Sequence, residues 1–162
     1  MIEYKQIGLI HSPFKEIIGT PIQPKAAEGI KGEVEVFKEY EDGLEGIEEF
    51  SYIILIYHLH LMKETKLRVK PYMGKNIVGV FATRAPSRPN PIGLSTVKLI
   101  KRNGNILFIE NIDIIDNTPL LDIKPCVPSF DNYMKNAKIG WLEKNIHKLE
   151  KTMDNGRFIK YD

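Results

Sequence analysis

Cysteine is almost absent from this 162-residue chain. The single Cys126 excludes an internal disulfide framework and any CxxC-type zinc or redox site. No apolar run approaches the roughly 18 residues that a membrane-spanning helix needs. The longest, Ile53–Tyr57, suits a buried strand. The amino terminus has no basic stretch leading into an apolar one, so no secretory signal is expected and the cytoplasm is the expected compartment. Repeats, low-complexity tracts and linkers are missing too, so residues 1–162 are expected to form one domain. None of the GxGxxG, GxxxxGK[ST], HExxH or GxSxG fingerprints occurs.

The remaining absence is local. Residues 65–109 contain no Asp or Glu, yet hold Lys66, Arg68, Lys70, Lys75, Arg84, Arg88, Lys98, Lys101 and Arg102. Residues 1–50 lean the other way, with eleven carboxylates against five lysines, so a net charge of only +2 hides a strong segregation. Such a chain can turn a positive face to a polyanion, although the acidic and basic halves can equally neutralise each other by packing together. Hydrophobic residues at 43% and charged residues at 27% are the balance of a globular domain able to build a core, not of a disordered one.

Strand signals dominate what is present. Tyr4–Ile10, the alternating Glu33–Phe37, the continuously apolar Tyr52–Tyr57 (expected to be buried on both faces) and Ile77–Thr83 all read as strands. Thr96–Lys101 and Ile106–Ile109 flank Asn103-Gly104, which predicts a hairpin with a type I′ turn. Ile112–Asp116 and Leu120–Ile123 add two short strands around the turn Asn117-Thr118-Pro119. Helix signals are few: a turn or two over Gly43–Phe50, and an amphipathic carboxy-terminal helix over 138–153 with Ile139, Leu142, Ile146, Leu149 and Met153 on one face. The expected fold is mostly β, a single β-barrel with short helices.

Two segments concentrate chemistry. Ala82–Ser95 carries Pro86, Pro89, Pro91 and Gly93 with Arg84, Arg88 and Asn90, a loop stiffened at φ and suited to holding polar side chains in place. The plainer alternative is a structural turn whose arginines bond neighbouring carbonyls. Asp113–Pro125 sets Asp113, Asp116, Asp122 and Lys124 among apolar residues, where carboxylates suit ribose hydroxyls, an ammonium group or proton abstraction. Here too a plainer alternative exists, with Asp116 and Asn117 forming a turn and Asp122 paired with Lys124. His58 and His60 share a strand face and can meet one ion, but no third ligand accompanies them, and no metal is expected.

The blocks Phe81-Ala82-Thr83-Arg84, Arg88-Pro89-Asn90-Pro91-Ile92-Gly93-Leu94-Ser95 and Asp116-Asn117-Thr118-Pro119-Leu120-Leu121-Asp122-Ile123-Lys124-Pro125 closely resemble the TrmO family, also called YaeB or TsaA-like. Ile7–Lys15 and Leu44–Ser51 are similar to its amino-terminal signatures, and the likeness runs from about Ile7 to Trp141. The resemblance implies a dimeric β-barrel tRNA methyltransferase that uses S-adenosylmethionine. Its target would be N6 of the threonylcarbamoylated adenosine beside the anticodon, and its cofactor would lie near the subunit interface. Carried over by position, it assigns cofactor contacts to Pro21-Ile22-Gln23, His58-Leu59, Arg84, Leu94 and Asp113-Ile114-Ile115-Asp116. Arg88, Asn90, Lys124, Lys66, Arg68 and Lys70 are the expected substrate contacts, and the catalytic group is sought among Asp113, Asp116, Asp122 and Lys124. Three positions depart from the family pattern: Ile22 replaces the usual Arg, Leu59 a polar residue, and Cys126 the Tyr that usually follows Lys-Pro. The bacterial members' additional carboxy-terminal domain is not expected here.

Two other readings stand beside this one. A β-barrel RNA binder without chemistry would use the basic 65–109 stretch and aromatics such as Tyr72. A small-molecule hydrolase would use His58 or His60 with an aspartate, but it lacks a nucleophile motif.

Overall fold

The computed structural model describes residues 1–158. Six strands close into a barrel in the order β1-β2-β7-β6-β3-β8, each antiparallel to its neighbours. They are β1 (Gly8–His11), β2 (Lys31–Val36), β3 (Tyr52–His58), β6 (Ile92–Asn103), β7 (Ile106–Glu110) and β8 (Thr118–Pro125). β4 (Arg68–Val69) and β5 (Val78–Gly79) pair as a small ribbon outside the barrel. Closure leaves the barrel without a free edge.

Alternation along the strands fills the interior. Ile10, Val34, Ile53, Leu55, Val97, Leu107 and Leu120 are fully buried there. Each removes a branched apolar side chain from water, worth about 1.5–3 kcal/mol. The Tyr52–Tyr57 run is buried on one face only: Ile53, Leu55 and Tyr57 point inward, while Ile54 and Ile56 stay partly exposed outside. An all-antiparallel barrel needs just one apolar face, so the unbroken run overstates the burial.

Other expectations are corrected by backbone geometry. The strand expected at Tyr4–Ile10 begins only at Gly8. Ile77–Thr83 keeps a two-residue strand and then tightens into a 3-10 turn at Val80–Ala82, because among the described residues its only strand partner is the short β4. Ile112–Asp116 is a loop, bracketed by Asn111 and Asn117 at φ of 67° and 59°, left-handed conformations that a ladder does not accept. The hairpin exists, but its two-residue turn is Gly104-Asn105, with Asn103 still paired to Ile106. Only Gly104 has positive φ (60°), the type II′ pattern instead of I′. Asn105 is held in that register by the end of β2, donating from Nδ2 to the Val36 carbonyl at 2.6 Å and accepting from the Val36 N–H at 2.9 Å.

The carboxy-terminal helix expected over 138–153 resolves into two 3-10 turns, Gly140–Leu142 and Ile146–Lys151, preceded by the short α1 (Pro128–Asp131). Gly140 sits at φ of 61°, and neither turn has a side-chain N-cap, so no continuous α-helix nucleates. The segment instead runs as a strap back to residues 18–21. The Gly19 and Asp154 N–H groups donate to the Asp154 and Thr20 carbonyls, both at 2.7 Å, and Pro21 bridges Met153.

Candidate functional site

A cavity of about 870 Å³ opens at the end of the barrel where β3 finishes and β6 and β8 begin. A volume of that size holds a cofactor-sized ligand. The 112–116 loop forms its floor, the proline loop and residues 21–23 two of its sides, and the carboxy-terminal strap another.

The deepest polar feature is a chain of three side chains. Tyr57 faces inward from β3 directly opposite Gly93 of β6, and its ring lies where any Cβ on Gly93 would sit. That close approach requires glycine. It sets the Tyr57 hydroxyl 2.9 Å from Ser95 Oγ, and Ser95 in turn donates to Asp113 Oδ1 at 2.6 Å. Burial pushes the Asp113 carboxyl up to about 7, against the opposing pull of the Ser95 hydrogen bond and the Arg84 charge. Burial and the neighbouring Asp113 charge likewise raise the Tyr57 phenol, which stays protonated. His60, also on the cavity wall, is pushed below its ordinary value by desolvation, and its buried Nδ1 has no partner among the described residues.

At the rim, Arg84 Nη1 donates to Gln23 Oε1 at 3.0 Å, joining two stretches 61 residues apart in sequence. Arg88 takes the plainer role: its Nη1 donates to the carbonyls of Thr83 (2.8 Å), Val80 (3.1 Å) and Ala85 (3.3 Å), locking the loop that presents Arg84. The loop is thus both stiff structure and site.

Of the residues matched to cofactor contacts, Pro21, Ile22 and Gln23 line the cavity from one side and Leu59, Arg84 and Leu94 from another. Asp113, Ile114 and Ile115 line its floor. His58 and Asp116 are not among the lining residues. Asp116 instead fastens the turn after β1, accepting from the Ser12 N–H at 3.0 Å and from Lys15 Nζ, with His11 Nδ1 at 3.7 Å. Burial acts to raise its carboxyl, but those donors prevail and hold it below the usual carboxylate range. Asp122 and Lys124 pair with each other at 2.8 Å on the outer face of β8, away from the cavity. Asn90 is exposed outside it. Lys66, Arg68 and Lys70 gather with Arg157 around a second, 440 Å³ cleft.

Tyr57 and Trp141 join the site without having been singled out by sequence pattern, as do Phe81 and Ser95, which stood in the family-like blocks with no role assigned to them. Tyr57 carries a usable signal, because a tyrosine at an inward position must bring a partner for its hydroxyl.

Residues 9–132 match the family model described as the tRNA-methyltransferase O N-terminal domain. The chain belongs to the TrmO family. A probable S-adenosyl-L-methionine-binding protein of Pyrococcus abyssi is 63% identical over 159 residues, covering 98% of this chain and 86% of that protein. The tRNA (adenine(37)-N6)-methyltransferase of Escherichia coli is 38% identical over 136 residues, 78% of this chain and 58% of that enzyme. Among solved structures, TrmO from Pseudomonas aeruginosa superposes with a TM-score of 0.71 at 34% identity, covering 86% of this chain and 62% of the other. This chain therefore spans about three-fifths of the TrmO chains whose structures it resembles. The family match ends at residue 132, so the strap that walls one side of the cavity lies beyond the matched region.

Proposed function

We propose that this TrmO-family protein is an S-adenosylmethionine-dependent tRNA methyltransferase acting in the cytoplasm on N6 of the threonylcarbamoylated adenosine beside the anticodon. The observation that carries this reading is convergence. Segments around 21–23, 59, 84–94 and 113–115, matched to the family's cofactor contacts, meet at one cavity.

The residues fit the cofactor chemically. Leu59, Leu94, Ile114 and Ile115 give apolar walls for an adenine ring, and Arg84 with Gln23 suits a carboxylate. The cofactor supplies an electrophilic methyl on a sulfonium. The chain's own contribution is to align the acceptor nitrogen in line with it, since positioning alone can supply about 7–11 kcal/mol of the barrier. Asp113 is the group we assign to receive the N6 proton as the nitrogen attacks. Its carboxyl titrates near neutrality and is oriented by Ser95, which Tyr57 holds in turn. Asp116, Asp122 and Lys124 have other partners in this subunit.

The basic cleft of Lys66, Arg68 and Lys70 supports contact with tRNA phosphates. The working unit in this reading is a homodimer. Outside the barrel, partly exposed Ile54 and Ile56 lie beside Leu94 (49% exposed) in the β3–β6 register, an apolar strip that a second copy would cover. Asp122 and Lys124 flank that strip in the β3–β8 register, so a partner subunit would meet them there. Mass spectrometry of tRNA nucleosides after incubation with S-adenosylmethionine tests the activity. Calorimetric titration with the cofactor separates an enzyme from a binder without chemistry, which gives no heat.

A further inference from the structure

We infer that Phe81 is the stacking platform for the target adenine of the RNA, an assignment that rests on the tRNA methyltransferase reading. Phe81 lines the cavity yet is 75% exposed, the most solvent-open aromatic among the described residues. An aromatic left so open normally rides on a mobile loop tip, and this one does not. Its backbone belongs to the 3-10 turn Val80–Ala82, pinned below by Val80 at 1% exposure. The Val80 carbonyl accepts from both Thr83 Oγ1 at 2.7 Å and Arg88 Nη1 at 3.1 Å. The Arg88 guanidinium sits 5.8 Å from the ring centroid, so one side of the ring has a cation beside it. A second aromatic is fastened one residue away, where Trp141 Nε1 donates to the Ala82 carbonyl at 2.7 Å and its ring also faces the cavity.

An aromatic on a pinned backbone, with a cation on one side of its ring and the rest open to solvent, suits a flat group with a π face. A nucleobase swung out of an RNA loop is such a group, and RNA-binding proteins commonly hold one on an aromatic ring. The cofactor's own adenine is the competing occupant. It belongs to the apolar floor near Ile114 and Ile115, whereas Phe81, 75% exposed, stands at the solvent-open side of the cavity.

The test uses the full chain and two anticodon stem-loops, one with the target adenosine and one abasic at that position. The wild type is expected to prefer the adenosine form roughly ten- to a hundred-fold, as alanine substitution at stacked bases elsewhere implies. Phe81→Ala should lose that preference and Phe81→Tyr keep it, with cofactor affinity by calorimetry unchanged in both. Equal binding of the two RNAs by the wild type, a preference retained in Phe81→Ala, or a matching fall in cofactor affinity would each overturn the assignment. A wild type that prefers the adenosine RNA but produces no methylated nucleoside would leave the stacking role standing and refute the methyltransferase reading instead.

Discussion

At the scale of single residues, the Asp113 carboxyl stands well above the ordinary carboxylate range, and its displacement has two consequences. The folded chain holds this proton up to about pH 7, whereas the unfolded chain releases it near the ordinary carboxylate value of about 3.9. Stability should therefore decline as pH climbs from about 4 towards 7 and level off above, the sign expected for a raised acid. Asp116 works in the opposite sense: its lowered carboxyl contributes stability above the ordinary value that is lost as pH falls through the folded one. Denaturant titrations of Asp113→Asn should show the decline between about pH 4 and 7 flattened. If Asp113 takes the acceptor proton, turnover in the wild type should rise with pH, pass its half-maximum at about 7 and level off above, and Asp113→Asn should lose both rate and slope. His60 titrates below its ordinary value and so stays neutral over the upper part of that range. An unchanged pH–rate profile in Asp113→Asn would remove this residue from the chemistry.

At the scale of elements, β3 and β6 build the site by packing, and a single position controls it. Gly93 gives the Tyr57 ring its place, and the ring places the hydroxyl on Ser95. Gly93→Ala should cost about 1–3 kcal/mol in chemical denaturation through overpacking and should also weaken cofactor binding. A variant of full stability and affinity would show that the ring relaxes freely. The barrel strands were legible in two ways: β2 from its polar–apolar alternation, β3 and β7 from unbroken runs of β-forming residues whose one-sided burial composition alone does not encode. The elements around the site were not. Ile112–Asp116 has strand-like composition, but left-handed Asn111 and Asn117 break the ladder on either side. The apolar spacing of 138–153 was real, since Leu142, Ile146 and Leu149 do face the cavity, yet Gly140 and the uncapped starts leave only 3-10 turns. The proline loop was recognisable as a site from its composition. Its division of labour, with Arg84 at the rim and Arg88 tied to three carbonyls, depends on side-chain directions that composition does not encode.

At the scale of the whole molecule, the proposed function asks the acid-free stretch and the cavity to serve one RNA. Lys66, Arg68 and Lys70 lie around a cleft of their own, so their contribution should be electrostatic and separable from chemistry. Charge reversal at all three should flatten the slope of log affinity against log salt by about 2 or more, at roughly 0.7–0.9 for each phosphate no longer neutralised. An unaltered slope would make them a solvated face. The central claim is that the converged cavity transfers a methyl group to a tRNA adenosine. Its most direct test is nucleoside mass spectrometry of threonylcarbamoylated tRNA incubated with S-adenosylmethionine and either wild-type protein or Arg84→Ala. Arg84 bridges to Gln23 across the cavity rim, and removing a charge-assisted bond of about 1.5–3 kcal/mol should weaken cofactor binding roughly ten- to a hundred-fold. The expected result is N6-methylated threonylcarbamoyladenosine with the wild type and, at limiting cofactor, a matching deficit with Arg84→Ala. Wild-type protein that binds the cofactor yet leaves the nucleoside unmethylated, or an Arg84→Ala protein that methylates at the full rate, would contradict it.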